Sequence, residues 1–140
     1  MFEEEKILEI KEIHDEKRTN IDQKEHTYDG YEIVTDSQSI KLLIENEQNC
    51  CEGWGYLISE DNLDEFIGEH IYRISQTDTK LSTINLDMPI EDYDRSMICI
   101  FINIETSKGI LQFVAYNEHN GYYGHNVIIS SKRLKIDTYV

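Results

Sequence analysis

The sequence contains few of the residues that mark specialised classes of protein. Its 140 residues include one proline, seven glycines and three cysteines. So little proline and glycine excludes collagen-like and proline-rich chains, and a hydrophobic fraction of 39% argues against wholesale disorder. No hydrophobic run reaches the roughly 18 residues that a membrane helix requires. The length predicts a single domain, residues 1–140, that can bury a core without disulfide or metal staples.

The cysteines do not form the pattern of a secreted disulfide framework. Cys50 and Cys51 are adjacent, where a disulfide is strained, and Cys99 lies within a hydrophobic run. The chain also begins with acidic residues where a signal peptide would be basic. We therefore expect reduced thiols and a cytoplasmic protein.

Positive charge is scarce in the first half of the chain. Residues 1–65 contain 19 acidic and 6 basic side chains, residues 66–140 contain 9 and 7, and the formal net charge is −15. Such a field repels phosphate and disfavours binding to a nucleic-acid polymer. Surplus acid either keeps a protein dispersed or lets its carboxylates imitate the phosphates of DNA. The second interpretation predicts an acidic DNA mimic or protein inhibitor that docks on a host DNA-binding protein.

Hydrophobic periodicity predicts an α+β fold: an antiparallel β-sheet with an N-terminal amphipathic helix and one short helix. Ile7, Ile10 and Ile13 recur at three-residue steps between charged residues. This spacing predicts an acidic helix over residues 1–20, followed by a β-rich core over residues 21–140.

Alternating hydrophobic residues predict strands along the rest of the chain. The predicted strands cover residues 31–35, 40–44, 71–75, 81–86, 98–104, 110–116 and 126–130. Asp29-Gly30 lies between β-prone residues and predicts a hairpin turn. Residues 49–55 read as a compact irregular stretch, and the pattern through Leu63 and Ile67 predicts the short helix, ended by Gly68.

One segment, Asn117 to Asn126, concentrates groups that can bind a ligand. It joins two predicted strands, and Gly121 and Gly124 free the backbone around Tyr122-Tyr123. Tyrosine rings can stack on bases, Asn amides can recognise a base edge, and His can donate to a phosphate oxygen. The alternative is a tight turn whose tyrosines pack over the end of a sheet.

An anionic ligand would also need cations. Arg73 and Arg95 have aromatic or hydrophobic neighbours that can hold them near a cleft, and guanidinium groups pair well with phosphate. The candidate ligand-binding residues are therefore Asn117, His119, Asn120, Tyr122, Tyr123, His125, Arg95 and Arg73.

Signatures of catalysis and metal binding are weak. The sequence has no Gly-rich phosphate loop, no Gly-x-Ser-x-Gly and no His-Glu-x-x-His. His119 and His125 with Cys50 and Cys51 supply four zinc-competent side chains, but at spacings that zinc sites do not favour. We predict no catalytic residue, no metal and no cofactor, and nucleotide hydrolysis through His119, His125 or Asp94 stays an alternative.

Three segments occur in a recognisable order and spacing. They are Asn49-Cys50-Cys51-Glu52, residues 63–68 leading into Ile71, and His119–His125 before a terminal strand. Together they resemble a small phage-encoded family that includes the Thoeris anti-defense sponge proteins. Members of that family are oligomeric binding proteins that sequester a cyclic ADP-ribose-type messenger, and relatives capture cyclic oligonucleotides such as the CBASS signal cGAMP.

The resemblance implies a function for the chain. It implies a homo-oligomeric sponge in the cytoplasm of the infected bacterial host, which hides a cyclic nucleotide immune signal without degrading it. The residues from His119 to His125 would line the pocket, and arginines would contact the phosphates.

Overall fold

The computed structural model describes residues 4–19, 23–47, 53–81, 96–119 and 124–140. Within these ranges the strands are β1 (Glu5–Thr19), β2 (Glu25–Thr35), β3 (Ser39–Glu45), β4 (Gly53–Ile58), β5 (His70–Thr77), β6 (Ser96–Thr106), β7 (Gly109–His119), β8 (Asn126–Ser130) and β9 (Lys135–Tyr139). They form one antiparallel sheet in the order β4-β7-β6-β5-β1-β2-β3-β8-β9. The predicted antiparallel sheet is present, but the α+β class is wrong, because the described residues are almost entirely strand.

The predicted N-terminal amphipathic helix is instead the longest strand, β1. The pairing of β1 with β2 shifts register between Ile7 and Glu9. This β-bulge adds one residue, so Ile10 returns to the core face that Ile7 already occupies. The register is unbroken from Ile10 to Ile13, so Ile13 lies on the opposite face, and the three isoleucines do not share one stripe as they would on a helix. β-branched isoleucine favours the strand.

Other local predictions failed where tertiary pairing decided the outcome. Asp29-Gly30 lies inside the continuous strand β2, so it forms no hairpin turn. The short helix is only a four-residue 3-10 turn, Leu63–Phe66. Part of the stretch expected to be irregular belongs to β4, which pairs with β7 from Gly53↔Glu118 onwards.

The predicted strands that fall wholly within the described residues were confirmed. The hairpin of β6 and β7 turns at residues 107–108, and the strands at 40–44, 71–75 and 126–130 lie within β3, β5 and β8. β9 was not predicted, and residues 82–86 of the expected strand at 81–86 lie outside the described residues.

Strand β1 joins two halves of the sheet. We call β4, β7, β6 and β5 the first half-sheet, and β2, β3, β8 and β9 the second half-sheet. One buried cluster draws side chains from both half-sheets, including Ile33, Leu42, Ile102 and Phe113, all fully buried. The two half-sheets therefore fold over a shared core, which brings residues distant in strand order into contact. Among the described residues, no helix has the length and hydrophobicity needed to cross a membrane.

Candidate functional site

The two described ends of the predicted binding segment meet at the last residue of the chain. The Asn117 side-chain amide donates to the Val140 carbonyl oxygen (Nδ2 to O, 3.2 Å). His125 and Val140 exchange two backbone hydrogen bonds, each 2.9 Å long. Asn117 and His125 are both buried, so the structure brings these two predicted site residues together at one closed end of the core.

The His125 ring is held on both its edge and its face. Its Nδ1 lies 2.6 Å from the Glu45 carbonyl oxygen, and because a carbonyl can only accept, this nitrogen carries the hydrogen. The ring stacks on Trp54 with a centroid separation of 5.1 Å and an interplanar angle of 25°. These contacts give His125 a structural role at the junction of the half-sheets.

Among the remaining predicted site residues, Arg73 is described and lies apart from this pair. Arg73 lies on β5 and is 69% exposed in its side chain, with Nε 3.7 Å from a Glu105 carboxylate oxygen. Glu105 pairs with Ile110 near the turn of the β6–β7 hairpin, whereas Asn117 lies towards the opposite end. Four predicted residues, Arg95, Asn120, Tyr122 and Tyr123, lie outside the described residues, as does the side chain of His119.

A cleft opens elsewhere, at the side where the half-sheets face each other. Its volume is about 390 Å³, and it lies between β1 and β2 on one side and β4 with the chain that follows it on the other. We call it the tyrosine cleft. Its lining residues are Glu12, Tyr31, Tyr56, Leu57, Ile58, Glu60, Asp61 and Leu63. This volume is within the usual range of small-molecule sites.

Aromatic packing builds the floor of the tyrosine cleft. Tyr31 of β2 meets Tyr56 of β4 edge to face, with ring centroids 5.8 Å apart. Both rings contact Phe113, whose side chain is fully buried. Because the two tyrosines belong to different half-sheets, the cleft exists only after the sheet has folded.

A hydrogen bond from Tyr56 to Glu12 closes one end of the cleft. The Tyr56 hydroxyl donates to a Glu12 carboxylate oxygen at 2.6 Å. Burial raises the pKa of Tyr56 far above its ordinary value, and the bond to Glu12 raises it further. Burial, with the Glu12 charge as the second cause, also raises the pKa of Tyr31. Both hydroxyls therefore remain neutral hydrogen-bond donors at physiological pH.

The charge of the cleft is of one sign. Glu12, Glu60 and Asp61 supply carboxylates, and no lysine or arginine lines the cleft within the described ranges. Such a surface attracts cations and repels phosphate. The cleft escaped prediction because its residues are far apart in sequence; the only signal was the alternation of Trp54, Tyr56 and Ile58.

One family model matches residues 4–129, described as "Domain of unknown function (DUF7448)". The chain belongs to this family. The matched region contains every residue of the tyrosine cleft, whereas β9 and Val140 follow it. No curated protein and no solved structure matches the chain. The DUF7448 description names no activity.

Proposed function

We propose that this DUF7448 protein is an acidic binding protein that inhibits a basic partner by docking on it through the tyrosine cleft. One observation carries the proposal: the cleft combines two tyrosine rings with three carboxylates, and no lysine or arginine among the described residues lines it. The function is stoichiometric binding without turnover. A basic DNA-binding protein in the host cytoplasm is the partner class that this charge fits.

The cleft has the chemistry to hold an arginine or lysine side chain. A guanidinium group over a tyrosine face gains a cation–π attraction, and a carboxylate beside it accepts charge-assisted hydrogen bonds. Glu12 is already oriented by the Tyr56 hydroxyl and lies next to both rings. Glu60 and Asp61, both exposed, add negative potential at the rim.

The remaining charge of the chain favours the same partner. Most of the excess acid lies in residues 1–65, which form β1 to β4 and the turn that lines the cleft. A field of one sign steers an oppositely charged partner and raises its association rate, while repelling free nucleic acid.

The test titrates the full chain with an oligo-arginine peptide and measures the binding by calorimetry. We expect saturable binding that weakens as salt rises, because mobile ions screen the carboxylates. Glu12→Gln should weaken binding by about tenfold, because it removes one partly desolvated charge pair between Glu12 and an arginine of the peptide.

Glu9→Gln is the matched control. Glu9 lies on the same strand, is about half exposed, and contacts Lys11 rather than the cleft. We expect an affinity within about twofold of the unmodified chain. Equal losses for the two substitutions would show diffuse charge attraction and contradict the assignment to the cleft.

A second candidate is the sequestration of a cyclic nucleotide by a homo-oligomer, as the sponge resemblance implies. The observation that favours it is the anchoring of Asn117 and His125 at Val140, which fixes both ends of the segment that carries Tyr122 and Tyr123. Two firmly held ends would pre-organise a binding segment and reduce the entropy lost on binding.

The sponge proposal has its own test. The protein is mixed with cyclic ADP-ribose isomers or cGAMP and then denatured by heat, and its mass in solution is measured. Sequestration is supported if the denatured protein releases intact messenger and if the Tyr122→Ala variant fails to bind it. Degraded messenger would show that the protein is an enzyme. Tyr122→Ala should leave oligo-arginine binding unchanged, so the two functions are separable.

A further inference from the structure

Three metal-competent side chains converge outside the tyrosine cleft. Nitrogen or oxygen donor atoms of His26, Glu45 and Glu47 all lie within 4.8 Å of one another. We propose that these residues bind one divalent metal ion of the zinc type. The site is independent of the proposed docking function, because no cleft residue belongs to it.

Strand register brings the three side chains to one face. Tyr28 of β2 pairs with Glu45 of β3, and side chains two residues apart share a face. The Asn46 backbone N–H donates to the Thr27 backbone carbonyl oxygen at 3.0 Å, which extends this ladder past the end of β3. His26 and Glu47 therefore come opposite each other, on the same face as Glu45.

His26 and Glu45 need only a small movement to coordinate one ion. His26 Nδ1 lies 2.5 Å from Glu45 Oε2. Metal–nitrogen and metal–oxygen bonds of about 2.0–2.2 Å at a tetrahedral ion separate the ligand atoms by about 3.3 Å. An ion bound between the imidazole and the carboxylate would thus move them apart by less than about 1 Å.

Burial and charge favour an ion at this position. The side chains of His26 and Glu45 are 17% and 10% exposed, so their charges are poorly solvated. A buried carboxylate is costly unless it is paired or coordinates a metal. One imidazole with two carboxylates suits zinc or manganese better than the all-oxygen preference of calcium and magnesium. Three protein ligands leave a coordination position for water.

The cluster also has a built-in spectroscopic reporter. The Glu45 backbone carbonyl oxygen accepts a hydrogen bond from His125 Nδ1 at 2.6 Å, and the His125 ring stacks on Trp54. Trp54 is the only tryptophan of the chain. A quenching ion such as Co²⁺ bound by Glu45 would therefore be connected to the fluorophore through two contacts.

The experiment titrates the chelator-treated full chain with Zn²⁺ by calorimetry and with Co²⁺ by Trp54 fluorescence. We expect one ion per chain and quenching by Co²⁺ that Zn²⁺ reverses. His26→Gln and Glu47→Gln should each weaken binding by at least about tenfold. Glu47 is exposed, so its substitution leaves the fold intact even if His26→Gln does not.

Glu25→Gln is the matched control, because Glu25 neighbours His26 in sequence and its side chain lies beyond the cluster, near Lys17. Its affinity should remain within about twofold of the unmodified chain. Absence of stoichiometric binding would overturn the proposal. It would also be overturned by binding that survives Glu47→Gln, or by equal losses in the control.

Discussion

At the scale of single residues, Gly30 marks the closest approach between β2 and β3. Its φ of +155° is in the region that side chains disfavour, and a Cβ at this position would lie 1.8 Å from the Leu42 carbonyl oxygen. Because that oxygen belongs to the backbone of a paired strand, it cannot move without disturbing the ladder. The position accepts only glycine.

Gly30→Ala should therefore destabilise the protein severely. We expect a loss of more than about 3 kcal/mol in the free energy of unfolding, because a backbone clash adds to the strain of an alanine at this positive φ. Urea denaturation measures the loss. Gly109→Ala is the control, since Gly109 has a similar φ of +143° but nothing within 4 Å of its Cβ position. It should cost only about 1 kcal/mol. Similar values for both would contradict the predicted clash.

Tyr56 makes stability sensitive to alkaline pH. Its pKa is raised in the folded chain above the ordinary 10.0, by burial first and by Glu12 second. A raised pKa means that the neutral hydroxyl is favoured by folding, so its contribution is complete below pH 10 and is lost as the pH rises above that value.

We expect the free energy of unfolding to fall more steeply above pH 10 for the unmodified chain than for Tyr56→Phe. Urea denaturation at a series of pH values measures this. At neutral pH the substitution should itself cost about 1 kcal/mol, the value of one hydrogen bond. Parallel pH profiles for both chains would show that Tyr56 does not contribute.

Residue types in the sequence pointed to two side chains with buried contacts but not to the tyrosine cleft. The prominent cluster of amides, imidazoles and tyrosines drew attention to Asn117 and His125, whose side chains make buried contacts. Glu12 and Tyr56 are unremarkable in sequence and form a cleft only because the half-sheets face each other. Chemistry that depends on long-range contacts leaves no local spacing to detect.

At the scale of elements, β1 is the strand on which the fold depends. It pairs with β2 along most of its length and with β5 through Glu5 and Lys6. Its neighbouring residues Ile7 and Leu8 have opposite environments, with 0% and 49% of their surface exposed. In this strand Ile7 faces the core and Leu8 faces solvent.

Ile7→Ala should cost about 2–5 kcal/mol, because it leaves a cavity in the shared core. Leu8→Ala should change stability by less than about 0.5 kcal/mol, as surface substitutions do. Thermal or urea denaturation of the two variants gives the comparison. A similar loss at both positions would contradict the placement of β1.

The clearest correct prediction is β6. In this strand Ile100, Ile102 and Ile104 keep one face to the core, and the period of two was visible directly. In β1 a bulge puts Ile7 and Ile10 on one face, and in β2 a glycine that a close strand requires resembled a turn. The departures follow from pairing partners, which periodicity does not contain.

At the scale of the whole molecule, the net charge of −15 works against compactness. Some first-half carboxylates are paired, as in the contact of Glu16 with Lys41 at 2.6 Å and with Arg18 at 2.9 Å. The Glu16 carboxyl is partly buried, which opposes ionisation, but these two cations outweigh burial and lower its pKa. The chain has too few lysines and arginines to pair with all of its carboxylates, since acidic residues outnumber basic ones by more than two to one.

Added salt should therefore stabilise the protein at neutral pH. We expect an increase on the order of 1 kcal/mol between low and physiological ionic strength, because screening weakens self-repulsion more than it weakens the exposed ion pairs. The control is the same measurement near pH 4.6, the isoelectric point, where the effect should vanish. Destabilisation by salt at neutral pH would contradict this account.

The sequence by itself determined the charge and its uneven distribution, and the positions of most strands after β1. These are local properties, because each depends on residues close together in the chain. The tertiary structure alone decided that β1 is a strand, that Tyr31 and Tyr56 face each other with Glu12 beside them, and that His26 meets Glu45 and Glu47. The physical reason is that the antiparallel register and the folding of the sheet over its core join residues that the chain keeps apart.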